Sequence, residues 1–161
     1  MTMGSMIEER FILSLEKARK AIQMADHLSY ITFPLIKENK LLLKILEELN
    51  IAIISMVNAV LQYEYLNKRI EIYNNAKDNF ETFKNIAFRY SINDEQVRKI
   101  IEIINLAEKH KKSPFEFSKN DKIVIMSENM YPDILTLEKI KSYLLEAKDI
   151  LRKIGIAIRK V

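Results

Sequence analysis

The fold turns on LLLKILEELNIAIISMVNAVLQY, residues 41–63. Leu41, Leu42, Leu43, Ile45, Leu46, Leu49, Ile51, Ile53, Ile54, Met56, Val57, Val60 and Leu61 occupy nearly every side of a helix here. A helix that is apolar all round is a buried one, so the segment predicts the centre of a helical bundle. Asn39 is a good N-cap and Asn74-Asn75 a plausible stop, which predicts a helix from Lys40 to about Tyr73, roughly 50 Å long at about 1.5 Å per residue. The longest charge-free stretch, Leu49 to Tyr63, is shorter than the roughly 20 residues a membrane span needs. It also contains Asn50, Ser55 and Asn58, so a transmembrane reading fails.

The composition around this segment suits a bundle. The chain has 161 residues, two glycines and three prolines, a shortage of turn formers that favours few long elements. Cysteine is absent, which removes disulfides and thiolate metal sites and fits an intracellular, cytoplasmic setting. Met1 to Ser5 reads as an expression-tag remnant, leaving 6–161 as a single helical-bundle domain. Glu8, Glu9, Arg10 and Glu16 inside the first periodic segment argue against a signal peptide.

Working outward, Phe11, Leu15, Ala18, Ile22, Ala25 and Ser29 alternate at three and four residues and predict a helix from about Ile7 to Tyr30, with a turn before Pro34. Leu13, Met24 and Leu28 form a second apolar strip, which calls for another neighbour or a partner chain. Ala76 to Tyr90 predicts a shorter helix with Phe80, Phe83 and Ala87 inward. Asn93 and Gln96 form a capping-box pattern ahead of a helix whose buried face is Val97, Ile100, Ile101, Ile104 and Ala107. Phe115 to Phe117 and Lys122 to Met126, around a polar turn, predict a small β-hairpin. Thr136 is the N-cap of a last helix that buries Leu137, Ile140, Leu144, Ala147, Leu151, Ile154 and Ile158. Gly155 interrupts it and suggests close approach to another helix. The expected fold is mainly all-α, an antiparallel bundle of four to five helices with a β-hairpin insertion near 115–126.

Enzymatic constellations are hard to assemble. A di-metal bundle needs Glu-x-x-His pairs, and neither His27 nor His110 has one; Glu108 precedes His110 by two residues, on a different helix face. Both histidines are expected to be exposed. No glycine-rich phosphate loop exists, and nucleophilic catalysis lacks a local base and orienting partner. The sequence favours a non-enzymatic protein with no cofactor and no metal.

Two surfaces merit attention. Residues 136–161 hold seven lysines and arginines against three acids, while the rest of the chain is balanced. Lys141, Lys148, Arg152 and Arg159 share one helix face, and Lys109, Lys111 and Lys112 close the preceding helix. Such cations could meet RNA or an acidic protein. Asn50, Ser55 and Asn58 within the central helix are read as a buried polar network or interface that fixes helix register or a dimer contact, with the lining of a small-ligand cavity as the functional alternative.

The stretch Ala25-Asp26-His27-Leu28-Ser29-Tyr30-Ile31-Thr32-Phe33-Pro34-Leu35, the run Leu41-Leu42-Leu43 and Ser113-Pro114-Phe115-Glu116-Phe117 resemble an archaeal family of uncharacterised helical proteins. The similarity covers most of the chain and implies a cytoplasmic archaeal setting without an activity. A looser resemblance is to HEPN-type bundles, which dimerise and some of which cleave RNA. Their ribonuclease signature places a histidine a few residues after an arginine on one helix. Here seven residues separate Arg19 from His27 and eleven separate Arg98 from His110, so at most the architecture carries over. The leading expectation is therefore association through a protein interface, as a homodimer, with RNA binding by the final helix as the alternative.

Overall fold

The computed structural model describes residues 3–159, with side chains described from residue 10 to residue 158. Helix α1 (Met3–His27) presents Phe11, Ala18, Ala21, Ile22 and Ala25 to the core, the stripe its spacing predicts. The chain does not turn before Pro34. A π-helical stretch, Leu28–Thr32, leads directly into α2 (Phe33–Ile36), and the helix ends at Lys37, which is left-handed with φ 56°. Proline has no N–H, and its ring crowds the carbonyl four residues back. Widening the preceding turn moves that carbonyl aside, and Phe33 accordingly donates its N–H to the Leu28 carbonyl.

Helix α3 (Lys40–Leu66) is the buried centre: Leu42, Ile45, Leu46, Leu49, Ile53, Met56 and Val60 have essentially no exposed surface. Each such side chain contributes about 1.5–3 kcal/mol through burial. The helix stops at Leu66 rather than near Tyr73, so its 27 residues span about 40 Å. The stop is made by Asn67, whose amide donates to the Tyr63 carbonyl at 2.8 Å, and by Lys68, left-handed with φ 60°. Asn39 does not cap the helix with its side chain; it donates instead to the Asn120 carbonyl at 2.8 Å, tying the start of α3 to the β-turn. Nor is α3 buried all round, since Ile51, Ile54, Asn58 and Tyr65 are exposed.

Helix α4 (Ala76–Ile86) starts on Asn75, whose side-chain oxygen accepts from the Asp78 N–H at 2.8 Å, and runs into a 3-10 turn, Ala87–Tyr90. Helix α5 (Asp94–Lys112) carries the predicted capping box: Gln96 N–H donates to Asn93 Oδ1 at 2.8 Å, and Asn93 N–H to Gln96 Oε1 at 3.3 Å. Its buried face is rotated from the predicted one. Ile100, Ile103, Leu106 and Ala107 are buried, while Val97, Ile101 and Ile104 are half-buried. Ile101 and Ile104 border an open groove, Ile104 while also packing against the core.

The expected hairpin is present as β1 (Phe115–Lys119) and β2 (Lys122–Met126), but a third strand, β3 (Pro132–Thr136), pairs antiparallel with β2. Val124 thus lies between Phe117 and Ile134, and Ile123, Ile125 and Leu135 reach the core. Proline is tolerated as the first residue of an edge strand, which is where Pro132 stands. Thr136 then caps α6 (Leu137–Arg159), accepting the Lys139 N–H on its hydroxyl at 3.2 Å. Gly155 makes no close approach: nothing lies within 4 Å of where its Cβ would stand. The molecule is mainly all-α, an antiparallel bundle with a small three-stranded sheet. Among the described residues no helix is long and apolar enough to cross a membrane.

Candidate functional site

The buried stripe of α3 passes through Ile53, Met56 and Val60 and then, one turn on, reaches Glu64. That carboxylate is 1% exposed and survives burial because both of its oxygens are engaged. The left-handed Lys68 folds the chain back so that the Arg69 N–H bonds the Glu64 carbonyl at 3.0 Å. Arg69 Nε then donates to Glu64 Oε2 at 2.7 Å, with Nη2 on the same oxygen. Arg89, delivered by the 3-10 turn, donates from Nη1 to Oε1 at 2.9 Å.

Tyr63 and Tyr90 flank this carboxylate, 6% and 3% exposed, and among the described residues neither hydroxyl has a hydrogen-bond partner. Burial, and then the charge of Glu64, pushes the Tyr90 phenol well above its ordinary range, so it stays protonated beside that carboxylate. With Arg69, Arg89 and Ala157 they line a hollow of about 210 Å³. A second hollow of about 370 Å³ shares Arg89, Tyr90 and Ala157 and adds Ser91, Arg152 and Lys153. Arg152 bonds Asp149 at 2.7 Å, and Lys153 bonds Gln96 at 2.8 Å and lies 3.3 Å from Asp149. The Arg152 hydrogen bond, against some burial and with help from Gln96 and Lys153, holds the Asp149 carboxyl below its usual range.

The predicted basic stripe is largely engaged within the chain. Lys141 stands over the Tyr30 ring at 4.9 Å, and Lys148 stands over the same ring and pairs with Asp26. The Arg159 side chain lies outside the described residues. Lys109 bonds Asp133 at 2.5 Å, Lys112 pairs with Glu108 at 3.1 Å, and Lys111 is exposed at the end of α5. Among the described residues of the stripe, Arg152 is the member that joins a hollow lined by other cations.

Asn50, Ser55 and Asn58 are placed differently from one another. Asn50 and Ser55 are buried, and the Asn50 side-chain oxygen has no partner among the described residues. Asn58 is exposed and lines, with Ile54, Phe80, Ile101 and Ile104, a groove of about 650 Å³ between α3, α4 and α5. Leu13 and Met24 lie on the exposed side of α1, and Leu28 is half-buried at its edge.

His27 is exposed as expected, but His110 is not. Its Nδ1 lies 2.7 Å from a Glu116 oxygen on β1 and its Nε2 3.1 Å from a Glu47 oxygen on α3. Burial alone would lower its pKa; the two carboxylate hydrogen bonds outweigh burial and raise it. The local pattern misses this clamp because Glu116 lies beyond the Ser113-Pro114 break and Glu47 on another helix. The Glu64 cluster had one visible signal, an acid standing where the three- and four-residue spacing of α3 demands an apolar residue.

No protein-family model matches the chain, and neither the curated proteins nor the solved structures yield a match to it.

Proposed function

We propose that the protein works by pairing with a second copy of itself through the outer face of α1 and α2. The observation that carries this reading is an apolar strip left uncovered along that face. Leu13 and Met24 are three turns apart on α1, and the strip continues through Ile31, 52% exposed, to Leu35, 80% exposed. Apolar residues at helical spacing on a solvent-facing side mark an association surface more strongly than isolated ones do.

Self-pairing suits the charges as well as the shape. Lys17 and Lys20 lie on the same face. A two-fold axis near Met24 sets Leu13 of one copy against Leu35 of the other and places these lysines opposite Ile31 and Leu28. Like charges then avoid each other, while the lysine stems cover apolar surface.

The absence of cysteine makes a direct test available. Met24→Cys, at the axis, oxidised at low protein concentration, is expected to give a disulfide-linked dimer, whereas Glu95→Cys on exposed α5 is not. No cross-link at position 24, or equal cross-linking at position 95, contradicts the reading.

A further inference from the structure

The trough formed by the end of α3, the 3-10 turn and the last turns of α6 shares no residue with the α1 face, and its chemistry is different. Arg69, Arg89, Arg152 and Lys153 reach it against the two carboxylates Glu64 and Asp149, four positive charges against two negative, which leaves a net charge of +2. Glu64 does not repel an anion at this site as a free carboxylate would, because Arg69 holds one of its oxygens and Arg89 the other. Arg89 lines both hollows and, among the described residues, uses a single nitrogen on Glu64, which leaves its remaining N–H groups for a ligand.

The inner hollow contains the second observation. Tyr63 and Tyr90 are more than nine-tenths buried, line the hollow, and have hydroxyls with no hydrogen-bond partner among the described residues. Buried polar groups in folded proteins are paired, so two orphans on one wall indicate an occupant that supplies acceptors. Neutral phenols beside a guanidinium are donors, and several donors converging from different sides suit a tetrahedral oxyanion better than a flat carboxylate.

We propose that this trough binds a phosphate dianion, free or as a small phosphomonoester. Arg89 stands at the centre, the Tyr63 and Tyr90 hydroxyls donate from the inner wall, and Arg152 and Lys153 close the outer side. The dianion balances the +2 of the lining, and the outer hollow of about 370 Å³ leaves room for the esterified carbon skeleton.

Calorimetric titration of the full chain with inorganic phosphate, ribose 5-phosphate and unphosphorylated ribose tests the assignment. Saturable binding of at least one phosphate compound, with none of ribose, is expected; tighter binding of ribose 5-phosphate assigns the ester, and equal or tighter binding of inorganic phosphate assigns the free ion. The double variant Tyr63→Phe, Tyr90→Phe keeps both rings and the fold, and exposed Arg152→Gln leaves the core untouched. Each is expected to weaken binding by about tenfold or more, the usual consequence of losing a hydrogen bond or ion contact to a charged ligand. Absence of saturable binding by both phosphate compounds, or unchanged affinity in either variant, overturns the proposal and leaves the hydroxyls to water.

Discussion

His110 presents both ring nitrogens to carboxylates, Glu116 on β1 and Glu47 on α3, and a histidine satisfies two such acceptors at once when it is protonated. Lys44, 4.0 Å from the second Glu47 oxygen, and Lys40 are further cations lining the hollow at this junction. The folded pKa is raised above 6.5, so the protonated form is favoured by folding. Its stabilisation is fully present below the unfolded value and is lost as pH rises through the raised folded value. Urea unfolding at about pH 5.5 and about pH 8.5 is expected to show greater stability at the lower pH from this group, and His110→Gln to remove that part of the difference. Equal pH dependence in the variant contradicts the clamp. Side chains of this kind are the least legible in a sequence. Glu47 is 63 residues from His110, and Arg89 is 25 from Glu64, so no local spacing connects them.

Elements were legible where their determinants are local. The Asn93–Gln96 capping box and the Thr136 cap join groups three residues apart, and both form. Pro34 reads as a turn in the sequence because a proline inside a helix conflicts with the α register, and a π turn changes that register. The end of α3 is hidden for another reason: it depends on a left-handed lysine, Lys68, a residue type with no preference for that conformation. Strand β3 was hidden by Pro132 and Asp133, which lower strand propensity but are tolerated on an edge. Gly155 belongs to this scale as well. With open space where a Cβ would go and a helical backbone, Gly155→Ala is expected to raise stability by about 0.5–1 kcal/mol, read as a higher Tm or urea midpoint. A destabilised variant would mean that a second chain or ligand packs on that glycine.

At the scale of the molecule, α3 organises the bundle as its apolar circumference implied, with α1, α5 and α6 packed around it. What its circumference did not reveal is which outer faces stay bare. An apolar residue looks the same in a sequence whether a neighbouring helix covers it or solvent does, and Leu13 and Met24 on α1, Ile31 in the π turn and Leu35 on α2 prove to be uncovered. The phosphate trough lies on a separate surface, so loss of pairing and loss of anion binding are separable outcomes. Pairing of α1 faces doubles the mass of the particle in solution, which sedimentation equilibrium reads. The wild-type chain is expected at twice its 19.0 kDa mass, and Ile31→Glu, which places a charge on the apolar strip while leaving the core intact, is expected to sediment as a monomer. A wild-type chain that stays at 19.0 kDa at high concentration, or an Ile31→Glu variant that remains dimeric, would contradict it.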